Sequence, residues 1–119
     1  MKKVEECNLN DLVEVDGLAV GSPTYYGNMV WQIKRFLDET ILAFYTEGHS
    51  LRGKVCGCFT SVGAYDDGKE CIRILEFAFG FDLKMKIVPG IILETKDVAK
   101  GNLETCYDFG QKIAQQLVI

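Results

Sequence analysis

Three short apolar runs, none of which alternates apolar with polar residues, constrain the fold of this chain more than any other feature. They are Gly17–Gly21, Val55–Phe59, and Lys86–Val88 continued past Pro89 into Ile91–Leu93. Strands that helices cover on both faces of a parallel sheet have this character, because neither face meets water. The runs therefore predict parallel strands, the third of which bends or ends at Pro89, since proline cannot donate to the ladder.

Apolar residues spaced three and four apart lie between and after these runs and predict three helices. The stripes consist of Val30, Ile33, Leu37, Ile41 and Phe44, then Cys71, Ile72, Leu75, Ala78 and Phe79, then Leu103, Cys106, Tyr107, Gly110, Ile113, Ala114 and Leu117. Asn28 and Asn102 precede the first and third stripes as candidate N-caps. The alternation of strand and helix predicts a single α/β domain over residues 1–119, built from right-handed βαβ units.

The stretch before the first run is less regular. Lys2–Cys7 is compatible with a strand, and Asn8–Asp11 with a turn or a short helical cap. Leu12 and Val13 are then expected to pack against the sheet.

Charge and cysteine content exclude several classes of function. The net charge of −4 gives the chain no electrostatic footprint for nucleic acid or an anionic membrane. No apolar run reaches the about 18 residues that span a bilayer, and Met1–Glu6 lacks the apolar stretch of a secretory signal. Five cysteines without regular spacing predict reduced thiols in a cytoplasmic protein, with no metal site. Cys56 and Cys58 share one strand face, so their parallel side chains do not suit a disulfide.

Two segments that follow the first two strands carry ligand-type residues. They are Gly21–Met29 and Thr60–Gly68, both rich in hydroxyl, glycine and tyrosine residues. In an open parallel sheet, ligands bind beyond the carboxyl ends of the strands, so these segments predict a binding cleft. The candidate site residues are Ser22, Pro23, Thr24, Tyr25, Tyr26, Gly27, Asn28, Thr60, Ser61, Val62, Gly63, Ala64 and Tyr65. The alternative to a binding cleft is that both segments are ordinary connections between a strand and a helix.

Four segments, in this order and spacing, resemble the flavodoxin family: Gly21–Met29, Lys34–Asp38, Leu51–Lys54 and Phe59–Gly63. The resemblance is closest to the tryptophan-repressor-binding-protein-like NAD(P)H:quinone oxidoreductases and the NADPH-dependent FMN reductases. It implies a doubly wound flavodoxin-like sheet that binds FMN, often in a dimer or tetramer. It also implies that Thr24, Tyr25 and Tyr26 form the first ring-binding loop and that Ser61–Tyr65 form the second. Such reductases pass hydride from a nicotinamide nucleotide to a quinone, and the flavin carries the chemistry.

The sequence departs from this family at several points. No segment resembles the family's first strand, phosphate-binding loop and first helix, so FMN and riboflavin are expected to bind with similar affinity. Tyr25-Tyr26 stand where the quinone reductases usually have Arg-Phe, and Leu83 stands where they often have histidine. The lone histidine, His49, lies in a polar stretch and is expected to be a solvated loop residue, so no catalytic residue is assigned.

Three interpretations stay open at this level. In the first, the chain is a flavin redox protein that binds FMN weakly or obtains its phosphate site from another subunit. In the second, it is a non-enzymatic subunit or interaction module that has lost FMN. In the third, it is a fragment whose phosphate loop is encoded upstream. A sheet without its first strand leaves the Gly17–Gly21 edge open, which predicts a homodimer unless Lys2–Cys7 covers that edge in a monomer.

Overall fold

A three-stranded parallel sheet forms the centre of the molecule. The computed structural model describes residues 1–101 and 103–117. Strands β1 (Gly17–Pro23), β2 (Val55–Val62) and β3 (Lys86–Glu94) lie side by side in the order β1-β2-β3. All pairing is parallel, with Gly17 opposite Val55 and Pro23 opposite Ser61. The predicted parallel α/β sheet is confirmed.

Helices connect the strands. They are α1 (Leu9–Val13), α2 (Trp31–Arg35), α3 (Leu42–Thr46), α4 (Tyr65–Glu76), α5 (Thr95–Ala99) and α6 (Glu104–Leu117). A π-helical segment, Phe36–Ile41, joins α2 to α3 into one continuous helix, and a second, Phe77–Asp82, extends α4. Because a π turn holds more residues than an α turn, the first segment widens the buried face. It places Phe36 in the core beside the predicted Ile33 and Ile41.

The N-terminal segment is not a strand, so that interpretation of Lys2–Cys7 is wrong. Val4–Glu6 form a 3₁₀ turn, in which Glu6 N–H donates to Lys3 O and Cys7 N–H donates to Val4 O. These local bonds occupy backbone groups that strand pairing would need. Helix α1 follows at once, because Asn8 and Asp11 form a reciprocal capping box, and it carries Leu12 into the core.

The two faces of the sheet are packed very differently. The larger core contains buried side chains from α1 to α4 together with Cys56 and Cys58 of β2. On the opposite face, the buried cluster of the described residues contains only Val55, Val88 and Phe109, beneath α6. The predicted stripe of α6 is wrong in part, because Leu103 and Tyr107 are exposed.

Phe109 is the residue of α6 that the sheet buries. A Cβ atom built on Gly57 would lie 2.7 Å from Phe109 Cζ, so the ring occupies the hollow that this glycine leaves in β2. The predicted N-cap Asn102 lies outside the described residues.

A local irregularity in β3 marks the position of Pro89. The β2–β3 register shifts between Gly57 and Phe59, and the N–H of Gly90 donates to the Glu76 carboxylate at 2.9 Å instead of to the ladder. The strand therefore continues past Pro89 with a bulge, so it does not end there, which was the other outcome that the sequence allowed. Among the described residues, no helix is long and apolar enough to cross a membrane.

Candidate functional site

Both predicted loops are shorter than the sequence suggested. Strand β1 continues to Pro23 because it stays paired with Ser61 of β2, and β2 continues to Val62 because it stays paired with Glu94 of β3. Helix α4 begins at Tyr65, so the second connection contracts to Gly63 and Ala64. Asn28 does not cap α2, since the helix begins at Trp31 with Val30 as its N-cap residue.

The structure brings the two predicted segments together at the carboxyl end of the sheet. Ser22 lies opposite Thr60 and Pro23 opposite Ser61 in the β1–β2 register. The N–H of Thr24 then extends the ladder by donating to Ser61 O at 2.9 Å. Adjacent strands thus deliver the start of both loops to one edge, where an open parallel sheet binds its ligands.

A tight turn forms the tip of the first loop. Tyr25 and Asn28 exchange two backbone hydrogen bonds of 3.1 Å, and the residues between them, Tyr26 and Gly27, have φ angles of 53° and 76°. Two central residues with positive φ define the type I′ turn, which usually takes Asn-Gly. A tyrosine in this left-handed conformation is an outlier, and such residues concentrate at functional sites.

Aromatic side chains are exposed around this edge. The exposed fractions of Tyr25, Tyr26 and Tyr65 are 63%, 102% and 51%. Trp31, the first residue of α2, is 64% exposed and was not among the predicted site residues. It lies off the apolar stripe of its helix, which is the signal that could have identified it. Exposed aromatic rings provide flat apolar surfaces, which suit a planar ligand.

Similarity to known proteins agrees with this arrangement. No family model matches the sequence. The chain is 29% identical to a flavodoxin from Aquifex aeolicus, over the whole chain and 70% of that protein. It is 39% identical over 77 residues to an NAD(P)H dehydrogenase (quinone) from Geotalea daltonii, covering 65% of the chain and 36% of that protein. The chain therefore spans about a third of the length of that quinone dehydrogenase.

A solved structure of a flavodoxin has the same fold as this chain. A flavodoxin from the domain Archaea superposes with a TM-score of 0.70 and 26% identity, over 98% of this chain and 75% of that one. The chain has a flavodoxin-like fold. Both the flavodoxin-like fold and the relationship to quinone dehydrogenases that the sequence indicated are confirmed.

Not every predicted site residue has an accessible side chain. Ser22, Thr60 and Val62 are buried, with exposed fractions of 3%, 0% and 5%. The Ser22 hydroxyl accepts from Val30 N–H at 3.0 Å and donates to Pro23 O at 2.7 Å, which ties the first loop to the start of α2. These three residues therefore support the loops instead of contacting a ligand through their side chains.

The predicted site residues other than Ser22, Thr60 and Val62 border open space. A Cβ atom built on Gly63 would meet no atom within 4 Å, so the second loop leaves room above its backbone. On the other side of the first loop, a groove of about 880 Å³ is lined by Gly21, Pro23, Tyr25, Trp31 and the N-terminal residues 1–6. Its volume is in the range of small-molecule sites. The first loop thus lies between this groove and the open space above Gly63.

The buried thiols of Cys56 and Cys58 lie in the first half of β2, before the carboxyl end of the strand. The Sγ atoms of Cys56 and Cys58 are 4.0 Å apart, and all five cysteines are free. The hydrogen bond to Cys56, together with burial, raises the pKa of the Cys58 thiol far above its ordinary value. Cys58 is therefore protonated at neutral pH, whereas nucleophiles and metal ligands need the thiolate.

Proposed function

We propose that this chain binds FMN and acts as a flavin redox protein. The ring would lie at the edge formed by Pro23–Gly27 and Ser61–Tyr65. The observation that carries the proposal is Tyr26, an exposed aromatic residue held in a left-handed conformation beside the second loop of a flavodoxin-like sheet. When bound, the flavin supplies electron or hydride transfer, with NAD(P)H as donor and a quinone as acceptor by analogy with the quinone dehydrogenases.

The accessible residues have distinct roles in this proposal. Tyr25 and Tyr26 offer their faces to the ring, and Gly63 lets the ring approach the backbone of the second loop. The turn packs close to α4, since a Cβ atom built on Gly27 would lie 3.6 Å from Glu70 Cβ of that helix. The groove beside the first loop gives room for the rest of the cofactor.

A fluorescence-quenching titration with FMN tests the proposal. Tyr26→Ala should weaken binding by roughly two- to tenfold, because an aromatic contact is lost. Gly63→Val should weaken binding further, since the new side chain fills open space in the cleft. Tyr107→Ala is the matched control, as this exposed tyrosine lies on α6. Wild-type affinity in both site variants would show that the cleft is wrongly assigned.

The same titration with riboflavin measures what the phosphate contributes. We expect FMN and riboflavin to bind with similar affinity, because no phosphate-binding residue is part of the proposed site. A strong preference for FMN would reveal a phosphate site elsewhere. Purified protein that neither carries nor binds a flavin would instead support the non-enzymatic interpretation, in which the chain is an interaction module.

We infer further that the chain forms a homodimer. Thr24 N–H and Asp16 O both pair with β2, so the backbone groups of Gly17, Ala19 and Gly21 face the other edge of β1. No described strand pairs with that edge. On the nearby α6, Leu103, Tyr107 and Leu117 are 61%, 68% and 44% exposed. An open strand edge beside apolar surface favours association, and light scattering that gives the mass of one chain, 13.3 kDa, would exclude the dimer.

A further inference from the structure

A groove separates two of the helices that cover the larger core. It has a volume of about 380 Å³, and each of the two π-helical segments forms part of one wall. Leu37 and Ile41 of the first segment lie on one side, and Phe77 and Ala78 of the second lie on the other. Because π turns inside helices occur frequently at functional sites, this groove is a candidate for binding.

Large apolar side chains beside the groove are exposed. Leu42 is 62% exposed, and Phe77 and Phe81 are 52% and 60% exposed. The two rings stack on each other, with 4.8 Å between their centres and 18° between their planes. Since a phenylalanine has an area of about 200 Å², the three side chains together expose roughly 300 Å² of apolar surface. An exposed patch of this size is often functional.

A cation and a carboxylate beside the groove lack an ion-pair partner among the residues that the structure describes. The Lys84 ammonium lies 4.5 Å from the centre of the Phe81 ring, within the range of a cation–π contact. Asp82 lines the groove itself. The other two charges of the groove, Lys34 and Asp38, already pair with each other at 2.6 Å. The groove therefore offers the Asp82 carboxylate to a partner, and the neighbouring aromatic pair carries a free ammonium.

The backbone holds Lys84 in a fixed position. Its φ angle of 58° is left-handed, which is uncommon for a residue with a long side chain. Its carbonyl oxygen accepts from Gly53 N–H at 2.9 Å, and the N–H of the next residue, Met85, donates to Phe79 O at 3.0 Å. A side chain that leaves a fixed backbone and rests on a ring needs less ordering when a partner binds, which favours association.

We propose that this groove receives Phe81 and Lys84 of a second copy of the chain. A fitting partner must offer an apolar side chain to the groove and a cation to Asp82, and this chain carries both next to its own groove. A two-fold axis between the copies places each Phe81 ring in the groove of the other copy. The same axis pairs Asp82 of each copy with Lys84 of the other.

This surface is separate from the one that the homodimer proposed above would use. It lies on the helices that cover the larger core, whereas that homodimer uses the β1 edge and α6. Two different two-fold interfaces on one chain build a tetramer, so the two associations are compatible. The inference does not depend on flavin binding.

Light scattering after size-exclusion chromatography tests the proposal through charge reversal. The wild-type chain should have the mass of two chains of 13.3 kDa, or of four if the β1 edge also associates. Asp82→Lys and Lys84→Asp should each halve this mass, because like charges then meet across the axis. The two changes together exchange the charges and should restore the wild-type mass. Lys100→Asp, at an exposed lysine that follows α5, is the matched control and should leave the mass unchanged.

Phe81→Ala tests the apolar contact without a change of charge and should also halve the mass. Since Phe81, Asp82 and Lys84 are all exposed, every variant should keep the circular dichroism spectrum of the folded chain. A wild-type mass of one chain, or a mass that neither single reversal changes, would overturn the proposal and leave the groove to another protein or a small molecule. A double variant that keeps the halved mass would also overturn it, because the loss would not then come from pairing of Asp82 with Lys84.

Discussion

The two faces of the sheet differ in how much apolar surface they bury. On the face that α1 to α4 cover, 14 buried residues form one cluster, and Phe44, Leu75 and Phe79 are almost fully enclosed. On the face that α6 covers, three residues are buried, and large apolar side chains of the helix stay exposed. Since burial provides most of the stabilisation of a fold, the first face holds the described domain together. The second face is the one that the proposed homodimer would cover.

The largest effect is expected from Phe79→Ala on the densely packed face. The ring is 0% exposed at the end of the long helix that begins with α4, and its removal should destabilise the chain by about 3–5 kcal/mol. Urea unfolding followed by circular dichroism measures this loss. A loss below about 1 kcal/mol would mean that this core relaxes around the cavity, and the contrast between the faces would then disappear.

A smaller loss is expected from Phe109→Ala on the sparse face. Phe109 is 6% exposed and belongs to the small cluster of this face, where it contacts Phe59 at a centroid distance of 6.1 Å and fills the hollow above Gly57. We expect the free energy of unfolding to fall by about 2–3 kcal/mol in the same urea experiment, less than the about 3–5 kcal/mol that is typical of Phe→Ala. If the free energy of unfolding falls as much in this variant as in Phe79→Ala, packing of α6 stabilises the fold as much as packing of α4 does.

The third largest effect on stability is expected from a hydrogen bond on the densely packed face, between Glu76 and Gly90. The Glu76 carboxylate accepts from Gly90 N–H at 2.9 Å, in place of the ladder bond that the β3 bulge removes. Glu76→Ala leaves this part-buried donor unsatisfied, which should cost about 1–3 kcal/mol. Glu76→Gln keeps a carbonyl acceptor and should recover most of that loss. Equal losses in both variants would show that the charge, and not the acceptor, supports the bulge.

The strands could be predicted from the sequence because burial on both faces leaves a local signature, the uninterrupted apolar run. The ends of β1 and β2 could not, since pairing with the neighbouring strand extends them to Pro23 and Val62. Likewise, helical spacing identified α6 but not its buried face. Phe109 is selected by the hollow above Gly57, a residue far away along the chain.

The candidate site was predictable in residue type and placement but not in orientation. Hydroxyl and tyrosine residues after adjacent strands indicated the edge, and the β1–β2 register brings them together. The sequence could not show that Ser22 and Thr60 are turned inward, because side-chain direction depends on the final strand register. Tyr-Gly is also a weaker turn signal than Asn-Gly, so the type I′ turn was not anticipated.

The smallest effect is expected at the exposed cap of α1, which anchors Leu12 in the dense face. The backbone N–H of Asn8, and then the Lys2 ammonium, hold the pKa of Asp11 below its ordinary value. A carboxylate whose pKa is lower in the folded state stabilises the fold above its unfolded pKa, and this contribution is lost as the pH falls through the folded pKa. Asp11→Asn should therefore lower the urea midpoint slightly at neutral pH, and the difference from wild type should vanish in acid. A difference that stays constant from neutral pH to about pH 2 would show that the Asp11 charge does not stabilise the cap.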